Sequence, residues 1–150
     1  MKRDSRLSAV LHALLHMSVY DRPITSAELA LWMSTNAAVV RRTMAGLREA
    51  GYVRSEKGHG GGWEIACDLE QVTLRDIYDA LGKPTLFAMG AHIERPTCLV
   101  EQAVNHALAD AFAEAEALLI KRLGTVSLAA LARHIGHGLA EHARAMSAKV

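Results

Sequence analysis

Residues 24–63 constrain the fold most. They set two short helical patterns, a polar break and a glycine-rich turn between two alternating segments into one stretch. Thr25 or Ser26 offers an N-cap, and Glu28, three residues after Thr25, matches a capping box. A helix over 26–33 follows, with Leu29, Ala30 and Met33 facing inward. Ser34, Thr35 and Asn36 break it, and each is a competent cap. A second helix is predicted over about 37–50 on the stripe Val40, Met44 and Leu47. Gly51 closes it, because the left-handed conformation beyond a helix end is cheap for glycine. Two short helices across a tight polar turn predict a helix-turn-helix. Residues 52–56 and 63–66 then alternate as strands around 57–62, which predicts a β-hairpin with a glycine-rich tip, a wing.

Helices flank this unit. Leu7, Val10, Leu11, Leu14, Leu15 and Val19 predict a first helix over 5–20, ended by Asp21, Arg22 and Pro23. Thr73 caps a helix over 74–81, with Asp76 in its first turn. Residues 82–96 are irregular. From Thr97 an apolar face of Leu99, Ala103, Ala107, Leu108, Ala111, Phe112, Ala115, Leu118 and Leu119 runs to about Leu123. Ser127 starts a last helix carrying Leu128, Leu131, Ile135 and Leu139. The fold class is mainly α with a small β-hairpin. Residues 1–82 form a winged helix-turn-helix, and 83–150 a linker and helical dimerisation region. A small domain has few places to hide so long a stripe, so a partner helix is expected to cover it.

Bulk properties narrow the function. The chain of 150 residues is 51% hydrophobic and 22% charged, which excludes a disordered tail. The net charge of +1 hides an asymmetry: residues 1–63 hold nine Lys/Arg against five Asp/Glu, and residues 64–150 eight against eleven. The basic half is the half with the helix-turn-helix pattern. The N-terminal segment lacks a secretory-signal pattern, no apolar run is long enough to cross a membrane, and two cysteines are too few for a disulfide scaffold. A cytoplasmic location is expected. No Ser/His/Asp order, metal-ligand set or phosphate loop marks an enzyme.

In a helix-turn-helix the N-terminal residues of the second helix reach base edges in the major groove. The candidates are Thr35, Asn36, Ala38, Val39, Arg41 and Arg42. Thr35 and Asn36 can hydrogen-bond bases or phosphates, and Ala38 or Val39 can touch a thymine methyl. Arg41 and Arg42 lie off the buried stripe. Lys57 and His59 are the donors of the wing. The alternative is a winged-helix protein-interaction module that does not bind DNA. Glu56 and Glu64, at the wing, lend it support.

The run Leu47-Arg-Glu-Ala-Gly-Tyr-Val-Arg-Ser-Glu-Lys-Gly-His-Gly-Gly-Gly-Trp63, followed by Val72-Thr-Leu-Arg-Asp-Ile-Tyr78, resembles the Rrf2 family of bacterial winged helix-turn-helix regulators, the IscR, NsrR and CymR type. The likeness extends to Ser127-Leu-Ala-Ala-Leu131. It implies a homodimer joined through the long helix over 97–123. It also implies a repressor reading a palindromic operator, with DNA contacts at Thr35, Asn36, Ala38, Val39, Arg41, Arg42, Lys57 and His59. Sensing members hold an iron–sulfur cluster through three cysteines between the fourth and the long helix. Residues 82–96 contain no cysteine, and only Cys98 matches the last of the three. One thiolate cannot hold a cluster that needs about four ligands, so no cofactor is expected.

Cys98 remains a candidate redox-sensing thiol. A helix N-terminus lowers a thiol pKa, and Arg95 is close in sequence. The simpler reading, a small apolar core residue, is favoured. His12 and His16 are one turn apart, a spacing that could hold a metal, and His134 and His137 are near neighbours. No third ligand completes either pair. Exposed or interface histidines, and no metal, are expected. Trp32 and Trp63 are read as packing residues.

Overall fold

Val10, Ala13, Leu14 and Met17 fall on one side of helix α1 (Arg6–Met17) and are all buried. The computed structural model describes residues 5–87 and 97–135, together with 138, 141, 144 and 145. Arg22 follows α1 and prepares the next helix. Its guanidinium holds Glu28 at 2.6 Å. Glu28 is the N3 residue of a reciprocal cap. It accepts from the Thr25 N–H at 2.9 Å, and its own N–H donates to the Thr25 hydroxyl at 3.2 Å. The Arg22 bond, aided by the donors of Thr25, holds the Glu28 carboxyl down at about 2, so the cap stays ionised far below neutral pH. Helix α2 (Ser26–Trp32) starts there and buries Leu29 and Ala30; Met33 packs half-buried against the same core.

The break before the next helix is tighter than its composition indicates. Ser34 adopts φ 51°, a left-handed conformation that disfavours a side chain, and the Thr35 N–H donates back to Ala30 at 2.9 Å. Of the three competent caps, Asn36 is the one used: its Oδ1 accepts the N–H groups of Ala38 and Val39, both at 3.1 Å. Helix α3 (Ala37–Glu49) buries Val40, Met44 and Leu47 as expected. Gly51 terminates it at φ 83°, with its N–H bonded to Arg48 and that of Tyr52 to Leu47.

Strands β1 (Val53–Glu56) and β2 (Gly62–Ile65) form the hairpin, in a register that runs from Val53↔Ile65 to Glu56↔Gly62. Ile24 joins them from the far side. It exchanges both backbone hydrogen bonds with Trp63, at 2.8 and 2.9 Å. Helix α4 (Leu74–Ala80) has its own capping box, Thr73 with Asp76, and buries Ile77 and Tyr78. Helix α5 (Leu99–Leu123) leads to α6 (Leu128–Ile135). A bridge between Thr73 and Ser127 ties the start of α6 to the start of α4, and Leu128 enters the same core as Val10 and Leu47.

Two expectations are corrected. The apolar positions of the long helix do not form one face. Phe112 and Leu119 are half-buried, whereas Leu99, Leu108 and Leu118 are exposed, and so are Val100 and Val104, which the sequence reading omitted. An Ala-rich helix has apolar residues all round, so periodicity does not separate its two sides. No residue of α5 is buried. The helix also begins at Leu99, not Thr97. The expected Leu139 contribution to the last helix lies outside the described residues.

The hairpin's attachment makes a specific demand at Gly62, where φ is 158° and an added Cβ would lie 2.6 Å from the Ile24 carbonyl oxygen. The Ile24 atoms it would meet all belong to the backbone, so they do not yield easily. We expect Gly62→Ala to destabilise the fold by about 1–3 kcal/mol, the usual range for overpacking, with a lowered thermal midpoint. An unchanged midpoint would show that the Ile24–Trp63 pairing can shift without cost.

Candidate nucleic-acid interface

The N-termini of α2 and α3 and the inner side of the wing enclose a groove of about 460 Å³. Ser26, Ala37, Arg41, Glu56, Lys57 and Trp63 are among its lining residues. Trp63 shapes its floor. The indole N–H donates to the Ser26 hydroxyl at 3.0 Å, and the Arg48 guanidinium lies 5.8 Å from the ring centroid. Arg48 also donates to the Ser55 hydroxyl at 3.1 Å. The wing is thus fastened to both helices of the helix-turn-helix. The contacts of Ser26 and Arg48 with the wing escaped the sequence reading, because their partners are brought near only by the hairpin's placement. Trp63 and Trp32 both serve as packing residues: Trp63 is buried, and Trp32 stacks on Tyr20 with centroids 5.6 Å apart.

The cations of this region divide into two sets. Arg22 is paired with Glu28, Arg54 with Glu64 at 2.8 Å, and Arg48 is held by Ser55 and Trp63. Arg41, Arg42 and Lys57 are exposed and have no ion pair or side-chain hydrogen bond among the described residues. Arg41, from α3, and Lys57, from the wing, both line the groove; Arg42 is not part of its lining. Glu56 is the one carboxylate in that lining.

The other sequence candidates are not part of the groove lining. Thr35, Ala38, Val39 and His59 are exposed, Val39 at 36%. Asn36 is exposed too, but its Oδ1 is committed to two helix N–H groups, which leaves only its amide N–H donors for an outside partner.

Cys98 does not have the core position favoured from sequence. It is exposed, as the N-cap residue of α5, and the backbone N–H groups of Glu101 and then Val100 lower its thiol pKa. The reason is its place ahead of a helix that buries nothing. Arg95 lies outside the described residues. Cys67 is half-buried in a cleft of about 400 Å³ between the end of α1 and β2, and burial pushes its thiol up. The two cysteines therefore sit on different elements. Two cysteines on different elements do not supply the about four ligands an iron–sulfur cluster takes within one protomer. His16 corrects the expectation of exposed histidines: it is buried, 6% exposed, while His12 is exposed. His134 is exposed, and its neighbour His137 lies outside the described residues.

A family model, Rrf2, described as an iron-dependent transcriptional regulator, matches residues 3–134. The HTH-type transcriptional regulator YwnA of Bacillus subtilis (strain 168) is 29% identical over 133 residues, which cover 88% of this chain and 98% of YwnA. A transcriptional regulator from Lactobacillus plantarum has a similar crystal structure, with a TM-score of 0.70 at 23% identity over 95% of this chain and 98% of its own. CymR, the global cysteine regulator of B. subtilis, superposes with a TM-score of 0.60 at 18% identity, over 89% of this chain and 98% of its own. At these identities the two structures establish the fold. No described helix is long and apolar enough to cross a membrane.

Proposed function

The chain belongs to the Rrf2 family of transcriptional regulators, and we propose that it is a homodimeric repressor that reads a palindromic operator through the groove between α3 and the wing. The observation that carries this reading is the pair of unneutralised cations, Arg41 from α3 and Lys57 from the wing, in the lining of that groove. Cations without protein partners can exchange their condensed counterions for phosphates. The N-terminus of α3 would enter the major groove, with Arg41 or Arg42 on a guanine edge and Ala38 or Val39 against a thymine methyl. Thr35 and the amide of Asn36 would reach a phosphate or base, and Lys57 and His59 would follow the adjacent minor groove. Residues 1–82 carry this reading unit, and 83–150 the linker and dimerisation region.

Replacing Arg41 and Arg42 together with Ala should abolish specific operator binding in a gel shift while leaving the oligomeric state intact. Lys57→Ala should instead weaken binding to all sequences and reduce the salt slope by about one. Binding that ignores salt would favour the protein-interaction module, because phosphate contacts weaken steeply as salt rises.

The dimer would form through the open side of α5. Val100, Val104, Leu108 and Leu118 are 45–78% exposed together with Leu99, an apolar surface unusual for an isolated small protein. Val104, Ala111 and Leu118 recur at seven-residue spacing, suited to helix pairing. In sedimentation, Leu118→Glu should produce a folded monomer; a persistent dimer would place the interface elsewhere.

Cys98 is the residue through which a thiol response would run, since it is exposed and its thiolate is favoured. No step passes through a cluster. Operator affinity that drops on treatment with a mild oxidant, and no longer does so in Cys98→Ser, is the expected pattern. An oxidant response identical in both proteins would remove Cys98 from the mechanism.

A further inference from the structure

The functional reading leaves one cluster unused. On α1 the Nε2 atoms of His12 and His16 approach to 2.9 Å, with ring centroids 4.6 Å apart at an interplanar angle of 69°. The two imidazoles stand one helical turn apart, so their backbones are rigidly related. His16 is buried against Trp32, with centroids 5.1 Å apart, and this packing restricts its ring. His12 is exposed and leaves one side of the pair open to solvent.

We propose that His12 and His16 form a two-nitrogen chelate for a divalent transition ion of tetragonal or octahedral preference, copper(II) above all. The spacing puts both donors within reach of one ion. Ligand nitrogens at about 2.0–2.1 Å from a metal lie about 2.9 Å apart when they subtend a right angle, and about 3.3 Å apart at the tetrahedral angle. The Nε2 atoms, 2.9 Å apart as a hydrogen-bonded pair, need only small ring rotations to turn toward a shared ion. Two cis imidazoles with water at the remaining positions suit copper(II) or nickel(II), and copper(II) binds nitrogen donors most tightly of the divalent series. Zinc, which requires the wider angle and more protein ligands, fits less well.

Binding needs a modest rearrangement. In the hydrogen-bonded pair one Nε2 carries the shared proton. That ring must take the Nδ1–H tautomer, so that both Nε2 lone pairs face the ion. The proton moves between nitrogens of one ring, the ion keeps its oxidation state, and two waters or more complete the shell. The exposed His12 can swing toward the ion while His16 stays packed. The expected absence of metal followed from the lack of a third protein ligand; a chelate completed by water does not require one.

The position gives the ion a reporter. Trp32 is in ring contact with His16, so a paramagnetic ion there should quench its fluorescence. The test is a copper(II) titration of the full chain, followed by tryptophan fluorescence and by electron paramagnetic resonance of the frozen sample. The wild type should bind one ion per protomer with saturable quenching and a two-nitrogen coupling pattern. His12→Gln alters an exposed side chain and should fold normally. It should weaken this binding at least tenfold, since even ligand-supporting residues are worth about 10–100-fold in metal affinity, and lose one nitrogen coupling. Trp32→Phe should keep the two-nitrogen signal while losing most of the quenching. Retention of affinity and of both nitrogen couplings in His12→Gln would overturn the proposal, as would a wild type without the two-nitrogen signal.

Discussion

The exchange of two backbone hydrogen bonds between Ile24 and Trp63 fixes the wing against the helix-turn-helix. An isolated two-stranded hairpin is marginal in water, and a wing that swung freely would enclose nothing. Ile24 lies just ahead of the α2 cap, so pairing it with β2 fixes the hairpin relative to the helix-turn-helix. Trp63 strengthens the joint from the other side of the chain, through Ser26 on α2 and Arg48 on α3. Backbones this close leave no room for a Cβ at Gly62. The glycines of the wing thus have separate causes: Gly62 permits a close approach, whereas Gly58 and Gly60 supply left-handed turns at φ 97° and 80°.

With the wing fixed, electrostatics is a matter of which charges are already spent. A net charge of +1 describes poorly what a ligand meets at the groove. Arg22 and Arg54 face carboxylates at hydrogen-bond distance, and surface pairs of this kind contribute only about 0–1 kcal/mol to stability. Their larger effect is to remove those cations from the field. Arg41 and Lys57, both in the groove lining, keep theirs. Glu56, in the same lining, offsets part of that positive charge.

The legible part of the fold is the local part. Caps announce themselves through side chains that reach only three residues, so Thr25 with Glu28, and a cap somewhere in Ser34-Thr35-Asn36, could be expected from spacing, and the stripe Val40, Met44, Leu47 follows from the helical period. The illegible part depends on contacts across the chain. Nothing in the run Ser34-Thr35-Asn36 shows that Ser34 takes a left-handed conformation and leaves capping to Asn36. The burial of His16 depends on where α2 places Trp32. The exposure of Cys98 depends on α5 standing away from the core, which an Ala-rich sequence does not disclose. The groove was legible as a set of residues and not as a shape: Arg41 and Lys57 could be named from sequence, but not that they line one groove.

Helix α5 poses the remaining physical problem. It runs for 25 residues with none buried, and its N-cap residue makes no side-chain cap bond. Burial contributes roughly 25 cal/mol for each Å² of apolar surface removed from water, and α5 leaves most of that contribution unrealised within one chain. A second copy would supply it, which makes folding of this helix and association parts of one equilibrium. The far end of α5 is not loose, however. Gly124 leads into the Thr73–Ser127 bridge, and Leu128 is 1% exposed in the core beside Val10 and Leu47. A partner seated on α5 would therefore be held in a definite relation to α3 and the wing. In such a dimer the separation of the two reading grooves, and with it the operator spacing, is set by the helix that the single chain leaves uncovered.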